Sequence, residues 1–188
     1  MKPSTDAELR LLQQEAFGYF LHETSPINGF VIDKTAPHWP TSIAATGLVL
    51  AAYPVGVARG FMSRAAAVAR ALKTLRFFWN SPQGPEPDAT GHHGFYYHFL
   101  DMRTGRRIWQ CELSTVDSAF LLAGALTAGA YFDGKTAGEQ EIRTLADELY
   151  QRADWQWAQN NGDTVTHGWS DRRFCANGLL HELTRHKS

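Results

Sequence analysis

The sequence predicts an all-α domain laid out as a double ring of helices, about half of it present, with one small β-hairpin between residues 94 and 110. Two observations carry this reading. Segments of helical hydrophobic period alternate between ones with a single apolar face and ones apolar all round, and the strand-like alternation is confined to one ribbon. The order, outer, inner, outer, ribbon, inner, outer, suits a ring whose inner helices are sandwiched and whose outer helices stay half wet; a helix bundle is the alternative.

The elements follow in order. Ser4 or Thr5 can cap a helix from about Asp6 to His22, with Leu9, Leu12, Ala16 and Tyr19 on one face. Residues 23–40 are rich in Pro, Gly and Asn and read as an ordered loop. From Thr41 to about Ala52 there is no charged face, so this helix is expected to be buried, with Pro54 and Gly56 kinking or ending it. A third helix runs from Ser63 to about Trp79 with Val68, Leu72, Leu75 and Trp79 inward. After the loop 81–91, residues 94–100 alternate as a strand, Asp101–Gly105 turns, and Arg106–Gln110 returns as a second strand. Val116–Phe132 is the most apolar helix, and Ala137–Ala153 is amphipathic with Ile142, Leu145 and Leu149 inward and Glu139, Glu141, Arg143, Asp147 and Arg152 facing water. Five or six helices are about half of the twelve in a closed six-hairpin ring, so inner surface is left uncovered and self-association is expected.

Composition narrows the function. At 188 residues the chain has the length of one domain, and its 18 Lys and Arg against 19 Asp and Glu leave a formal charge of -1. The basic residues are scattered, so no nucleic-acid partner is expected. Cys111 and Cys175 are the two cysteines and lack metal-site or framework spacing. The N-terminus lacks a signal peptide's apolar core and no run is long enough to span a bilayer, so the chain as written reads as cytoplasmic, with no membrane partner. Aromatics reach 12%, including six Trp, several of them in apparent loops, a bias that suits carbohydrate stacking and also ordinary packing.

Five segments together, Gly29–Asp33, Thr41–Gly47, Leu72–Phe78, Gly94–Asp101 and Glu112–Gly124, resemble the glycoamylase-like (glucoamylase) family of glycoside hydrolases, which includes endo-β-1,2-glucanases and is similar to a domain of cyclic β-1,2-glucan synthases. The resemblance runs from about Ala16 to Phe174 and implies an incomplete (α/α)6 toroid acting on a glucan with acid and base carboxylates across a central cleft. After Phe174 the family continues into a Trp-containing loop and a Tyr-x-Glu segment, which residues 175–188 do not match. The expected division is therefore a truncated toroid domain, 1–174, and a non-matching tail, 175–188. A later family carboxylate would then be absent, and Glu182 in that tail does not replace it.

Candidate site residues gather at the ribbon. Glycoside hydrolysis needs a carboxylic acid to protonate the leaving oxygen and a second carboxylate to activate water or attack. Glu112 is the candidate acid, its pKa open to elevation by desolvation among Trp109, Tyr96 and a bound sugar, although its place before a helix start favours the carboxylate. Asp117 is the second catalytic candidate, and Ser114–Asp117 also reads as a capping box in which Asp117 is structural. Asp33 and Lys34 lie in the loop where the family resemblance implies substrate contact; an Asx-turn is the structural alternative. Trp39, Tyr96, His98, Trp109 and Trp169 can stack on or hydrogen-bond to sugar rings, whereas Phe95, Tyr97 and Phe99 are expected to pack inward. His92, His93 and His98 lack zinc spacing, so no metal is expected, and no phosphate loop or dinucleotide fingerprint calls for a cofactor. The function expected is a glycoside hydrolase-like domain for a β-glucan, β-1,2-linked, weakly active or inactive as this chain. A non-catalytic glycan-binding module and a toroid sugar isomerase are the alternatives.

Overall fold

The computed structural model describes residues 5–170 and, as backbone, 173–175; the tail expected from 175 onward lies outside the described residues apart from the backbone of Cys175. Among the described residues there are five long helices, α1 (Thr5–His22), α2 (Ile43–Ala58), α3 (Arg64–Asn80), α4 (Thr115–Tyr131) and α5 (Ala137–Arg152), followed by a short α6 (Trp155–Gln159). The chain is mainly helical, and a helix was expected in each of these five regions; α2 and α4, expected to be buried, each keep an exposed side instead, at Leu48 and Val55 and at Val116 and Phe120.

Helices α2 and α4 are held together by glycine. A Cβ on Gly124 would lie 2.0 Å from the Gly47 carbonyl oxygen, and one on Gly47 would lie 2.4 Å from the Phe120 carbonyl oxygen, so α2 and α4 meet backbone to backbone. Helices α3 and α5 close the opposite side of that pair, burying Leu72, Leu75, Phe78, Ile142, Leu145 and Leu149. Pro54 does not end α2: it lies buried inside the helix, and one turn of packing follows it, where Gly56 leaves room for the Phe17 ring of α1. That packing offsets the roughly 3 kcal/mol that proline costs in a helix interior.

Helix α1 departs from its expected face. Phe17 is its buried residue, while Leu9, Leu12 and Ala16 are exposed. On α5, Glu139 and Arg152 do not face water. The Glu139 side chain is 5% exposed and accepts from Arg64 Nε at 2.6 Å, and Arg152 donates to the carbonyls of Phe78 and Trp79. Both charges are tied to α3 or its start, which a helical wheel of α5 alone does not reveal.

The single hairpin is replaced by two sheets. Strands β1 (Thr41–Ser42) and β4 (Phe99–Leu100) form one antiparallel pair; β2 (Gly91–His92), β3 (Phe95–Tyr97), β5 (Leu113–Ser114), β6 (Gly168–Ser170) and β7 (Arg173–Cys175) form a five-stranded antiparallel sheet in the order β2-β3-β5-β6-β7. The expected strand 94–100 breaks at His98, and its halves join different sheets. The expected return, 106–110, touches it by one bridge, Leu100 to Arg107, before Trp109 and Gln110 turn away with φ of 55° and 51°. Two-residue strands leave too short a period to read from sequence.

Candidate active site at the starts of α2 and α4

His98 is fixed by its backbone before its ring is considered. Its N–H donates to the Glu112 carbonyl at 3.0 Å, and its own carbonyl accepts from Ile43 N–H, in the first turn of α2, at 3.1 Å. Glu112 precedes β5, Ser114 caps α4 by accepting from Asp117 N–H at 3.0 Å, and Asp117 is the third residue of that helix. Helices α2 and α4 therefore start at one histidine. Their N-terminal amide ends supply partial positive charge there, which favours anionic groups.

The side chains converge accordingly. His98 Nδ1 is 2.8 Å from Glu112 Oε1, and Nε2 is 3.8 Å from Asp117 Oδ2. Asp117 Oδ2 also accepts from the Ser114 hydroxyl. Burial alone would lower the His98 pKa, but the hydrogen bond to Glu112 and the nearby Asp117 and Asp33 carboxyls outweigh it and raise the net value. Glu112 is held below the usual carboxylate range, chiefly by the His98 hydrogen bond, against the opposing effect of burial. In the free protein both shifts favour the imidazolium–carboxylate form of the pair over the neutral one. That is the reverse of the elevation that would make Glu112 an acid in the absence of a ligand.

One donor atom from each of His98, Glu112 and Asp117 lies within 4.8 Å of the others, close enough to share a metal ion. Each is already engaged, His98 with Glu112 and Asp117 with Ser114, so an ion would have to displace both hydrogen bonds. The same closeness shapes the acid–base chemistry. Inverting hydrolases hold their carboxyls about 6.5–9.5 Å apart to admit a water, whereas here an imidazole bridges the pair. Glu112 and Asp117 are thus joined through His98 into one group.

An aromatic path leads from this group. The Phe99 ring stacks on His98 at 3.9 Å, Trp109 meets Phe99 at 5.3 Å, and Trp39 meets Trp109 at 5.0 Å. Lys34 Nζ sits 3.6 Å over the Trp39 ring, and Trp39 Nε1 donates to Asp33 at 3.3 Å. Trp109 is 58% exposed, and Arg107 anchors its loop by donating to the Gln110 carbonyl at 2.6 Å. Asp33, Lys34, Trp39, His98, Trp109, Glu112 and Asp117 thus form one continuous surface. Two surface hollows of about 420 and 710 Å³ lie around Ile27, Arg103 and Thr104, and none of these seven residues lines either.

Two expected sugar contacts are not on it. Tyr96 is fully buried, its hydroxyl donating to the Phe78 carbonyl at 3.0 Å and accepting from Arg152, and burial pushes its pKa up to about 12. It belongs to the core because α4 covers one face of β3, through Ser118, while Trp155 and Trp157 pack on Phe95 on the other. Trp169 pairs in register with Leu113, so strand alternation places it on the sheet face opposite Glu112, next to His92 at 5.8 Å. Phe99, expected inside, is instead the link between His98 and Trp109. Only the break in the strand after Tyr97 could have revealed it, and nothing in the residue pattern marks that break.

No family model matches the chain. It is 30% identical over 175 residues to an exo β-1,2-glucooligosaccharide sophorohydrolase (non-reducing end) of Parabacteroides distasonis, a match covering 89% of this chain and 23% of that protein. Among solved structures it superposes on a glucoamylase-like protein of Bacteroides uniformis with a TM-score of 0.80 and 28% identity, over 91% of this chain and 42% of the other. A β-1,2-glucanase of Parabacteroides distasonis gives a TM-score of 0.78 at 28% identity, over 92% of this chain and 25% of the other. An endo-β-1,2-glucanase of Chitinophaga pinensis, solved with sophorotriose and glucose, shares the fold at 22% identity with a TM-score of 0.77, over 90% of this chain and 41% of the other. The chain spans less than half the length of each of these proteins. In sequence and in fold it is similar to part of the glycoamylase-like glycoside hydrolases, a group with β-1,2-glucan-acting members.

Proposed function

We propose that this chain supplies one wall of a β-glucan cleft in a glycoside hydrolase-like toroid, of which α2 and α4 are inner helices and α1, α3 and α5 outer ones. The observation that carries the reading is the continuous surface from Lys34 through Trp39, Trp109 and Phe99 to the His98–Glu112–Asp117 group. Indole faces match the apolar faces of pyranose rings, and the polar group at the end of the path meets sugar hydroxyls and the glycosidic oxygen. The names of the relatives point to β-1,2-linked glucose as the substrate.

The chemistry follows from the hydrogen bond. A sugar seated on Trp109 would exclude water from Glu112 and favour its neutral form. His98 Nδ1, 2.8 Å from Glu112 Oε1, would then return the proton to the carboxylate, and Glu112 would pass it to the leaving oxygen. Asp117 holds the imidazole from its other nitrogen. The opposing carboxylate is not supplied by this group, so hydrolysis by this chain alone is expected to be slight.

The test incubates the chain with linear β-1,2-glucan and measures binding by calorimetry and product release by chromatography. Binding with little release is expected, lost on Trp109→Ala. Robust Glu112-dependent release would overturn the one-wall reading, and no binding by the native chain would overturn the glucan reading. A second reading, a glycan-binding module without chemistry, is favoured by the internal neutralisation of Glu112 by His98. Affinity retained in Glu112→Gln, with turnover by neither form, selects it.

A further inference from the structure

Trp109 and Gln110 occupy a turn that their side chains disfavour. The Cys111 N–H donates to the Ile108 carbonyl at 3.1 Å and closes the turn, and both central residues are left-handed, with φ of 55° for Trp109 and 51° for Gln110. That is the sign pattern of a type I′ turn, in which Gly, Asn and Asp dominate because a Cβ crowds the following carbonyl in left-handed backbone. Residues other than these keep such a conformation only where the surroundings over-determine it. Here the surroundings are Arg107 and Cys111. Arg107 is fixed at its backbone, its N–H donating to the carbonyl of buried Ala89 at 3.3 Å and the residue bridging to Leu100. Its guanidinium carbon lies 4.3 Å from the centre of the Tyr97 ring, a core group, and the guanidinium donates to the Gln110 carbonyl at 2.6 Å. At the far end, Cys111 Sγ accepts from the Phe99 N–H at 3.2 Å and donates to the Phe99 carbonyl at 3.4 Å. The turn is thus tied to the core at its entry and, at its exit, to the residue stacked on His98. Arg106, next in the chain, is by contrast exposed and paired with Asp88 at 2.8 Å.

We propose that Arg107 is a positioning residue, which clamps the Ile108–Cys111 turn in its left-handed form and so presets the Trp109 ring as a sugar platform before the glycan arrives. This rests on the reading of Trp109 as part of the glucan surface. The left-handed pair reverses the chain, puts the indole at the tip of the turn at 58% exposure, and brings it within 5.3 Å of Phe99 and 5.0 Å of Trp39. A return strand continued through residue 110 would have no tip there. Holding the turn in the free protein raises affinity, because its ordering is then a part of folding and no longer a cost of binding. Arg107 is half-buried against a core ring, so it acts on the sugar through Trp109 and not by touching it.

The test compares the native full chain with Arg107→Gln, Gln110→Gly and the double variant, by calorimetry with linear β-1,2-glucan and by the exchange rate of the Cys111 amide in NMR without sugar. Arg107→Gln should weaken glucan binding about tenfold, the factor that one strained residue of ordinary cost is worth, and should speed Cys111 exchange. Glycine adopts positive φ freely, so Gln110→Gly should restore most of both in the Arg107→Gln background and change little in the native one. Arg107→Lys, which keeps the charge and stem but not the flat fork, should show the same pattern at smaller amplitude and serves if Arg107→Gln does not fold. A residue that serves stability alone would lower the melting temperature with affinity intact, and one that touches the sugar would lose an affinity that glycine does not restore; either result overturns the proposal. So does Cys111 exchange that Arg107→Gln leaves unchanged. Absence of glucan binding by the native chain overturns the platform together with the reading it rests on, whereas native binding without this pattern overturns the clamp alone.

Discussion

His98 and Glu112 are coupled titrating groups, and the signs of their shifts set a pH window. The folded-state pKa of His98 is raised, so its contribution to stability is complete below its unfolded value of about 6.5 and is lost as pH rises through the higher folded value. Glu112 is lowered, so its contribution is complete above about 4.3 and is lost as pH falls through the lower folded value. The pair therefore stabilises the fold most between those two unfolded values. His98→Gln should lower the melting temperature within that window and converge with the native chain at alkaline pH, read by thermal denaturation in a buffer series; an offset independent of pH would show that the ring contributes only packing. These residues were visible in sequence as a gathering of His and carboxylates beside Trp109, but their pairing was not. Alternation along 94–100 places His98 and Tyr96 alike on one face, whereas in the structure one is at the mouth and the other in the core. What separates them is the switch of sheets at His98, a tertiary event without a local signature.

At the scale of elements, α4 joins core to site. Ser114 caps it and holds the Asp117 carboxyl with the same hydroxyl. Ser114→Ala should cost about 1 kcal/mol in urea unfolding with little change in m-value, and should also release Asp117 from its place beside His98. A loss of stability with glucan binding intact would mean that Asp117 is a cap residue and no part of the sugar surface. The cap was legible because Ser-x-x-Asp before an apolar run is a local motif; Ser63, expected as the first residue of α3, instead caps it, accepting from Ala66 N–H at 3.2 Å. The five-stranded sheet was not legible. Its members are two or three residues long and its order depends on partners as distant as Leu113 and Trp169, so no period or turn signal specifies it. Pro54 shows the opposite failure, a strong local breaker overruled by the burial of Tyr53 and Gly56 around it.

Across the whole molecule, stability is unevenly distributed, and the sequence reading of α1 shows why. Its leucines suggested an inward stripe, but the helix meets the body through Phe17, which packs on Phe61 at 5.7 Å, and through Tyr19, which donates to the Ile32 carbonyl. Its first three turns have an exposed Arg10 hydrogen bond to the Arg59 carbonyl at 3.2 Å and little apolar burial. By contrast, Leu50, Tyr53, Leu121 and Leu122 on α2 and α4 are at most 2% exposed. Local opening follows buried contact, so hydrogen exchange should proceed in a fixed order. Amides of residues 8–14 should exchange first, at rates near those of an unstructured chain, while those of 47–53 and 119–126 should exchange only through global unfolding and slow in proportion to any stabilising substitution elsewhere. Deleting residues 1–12 should then leave the protection of α2 and α4 almost unchanged. Equal protection in α1 and α4 would instead mean that the Leu9, Leu11 and Leu12 face is covered in solution.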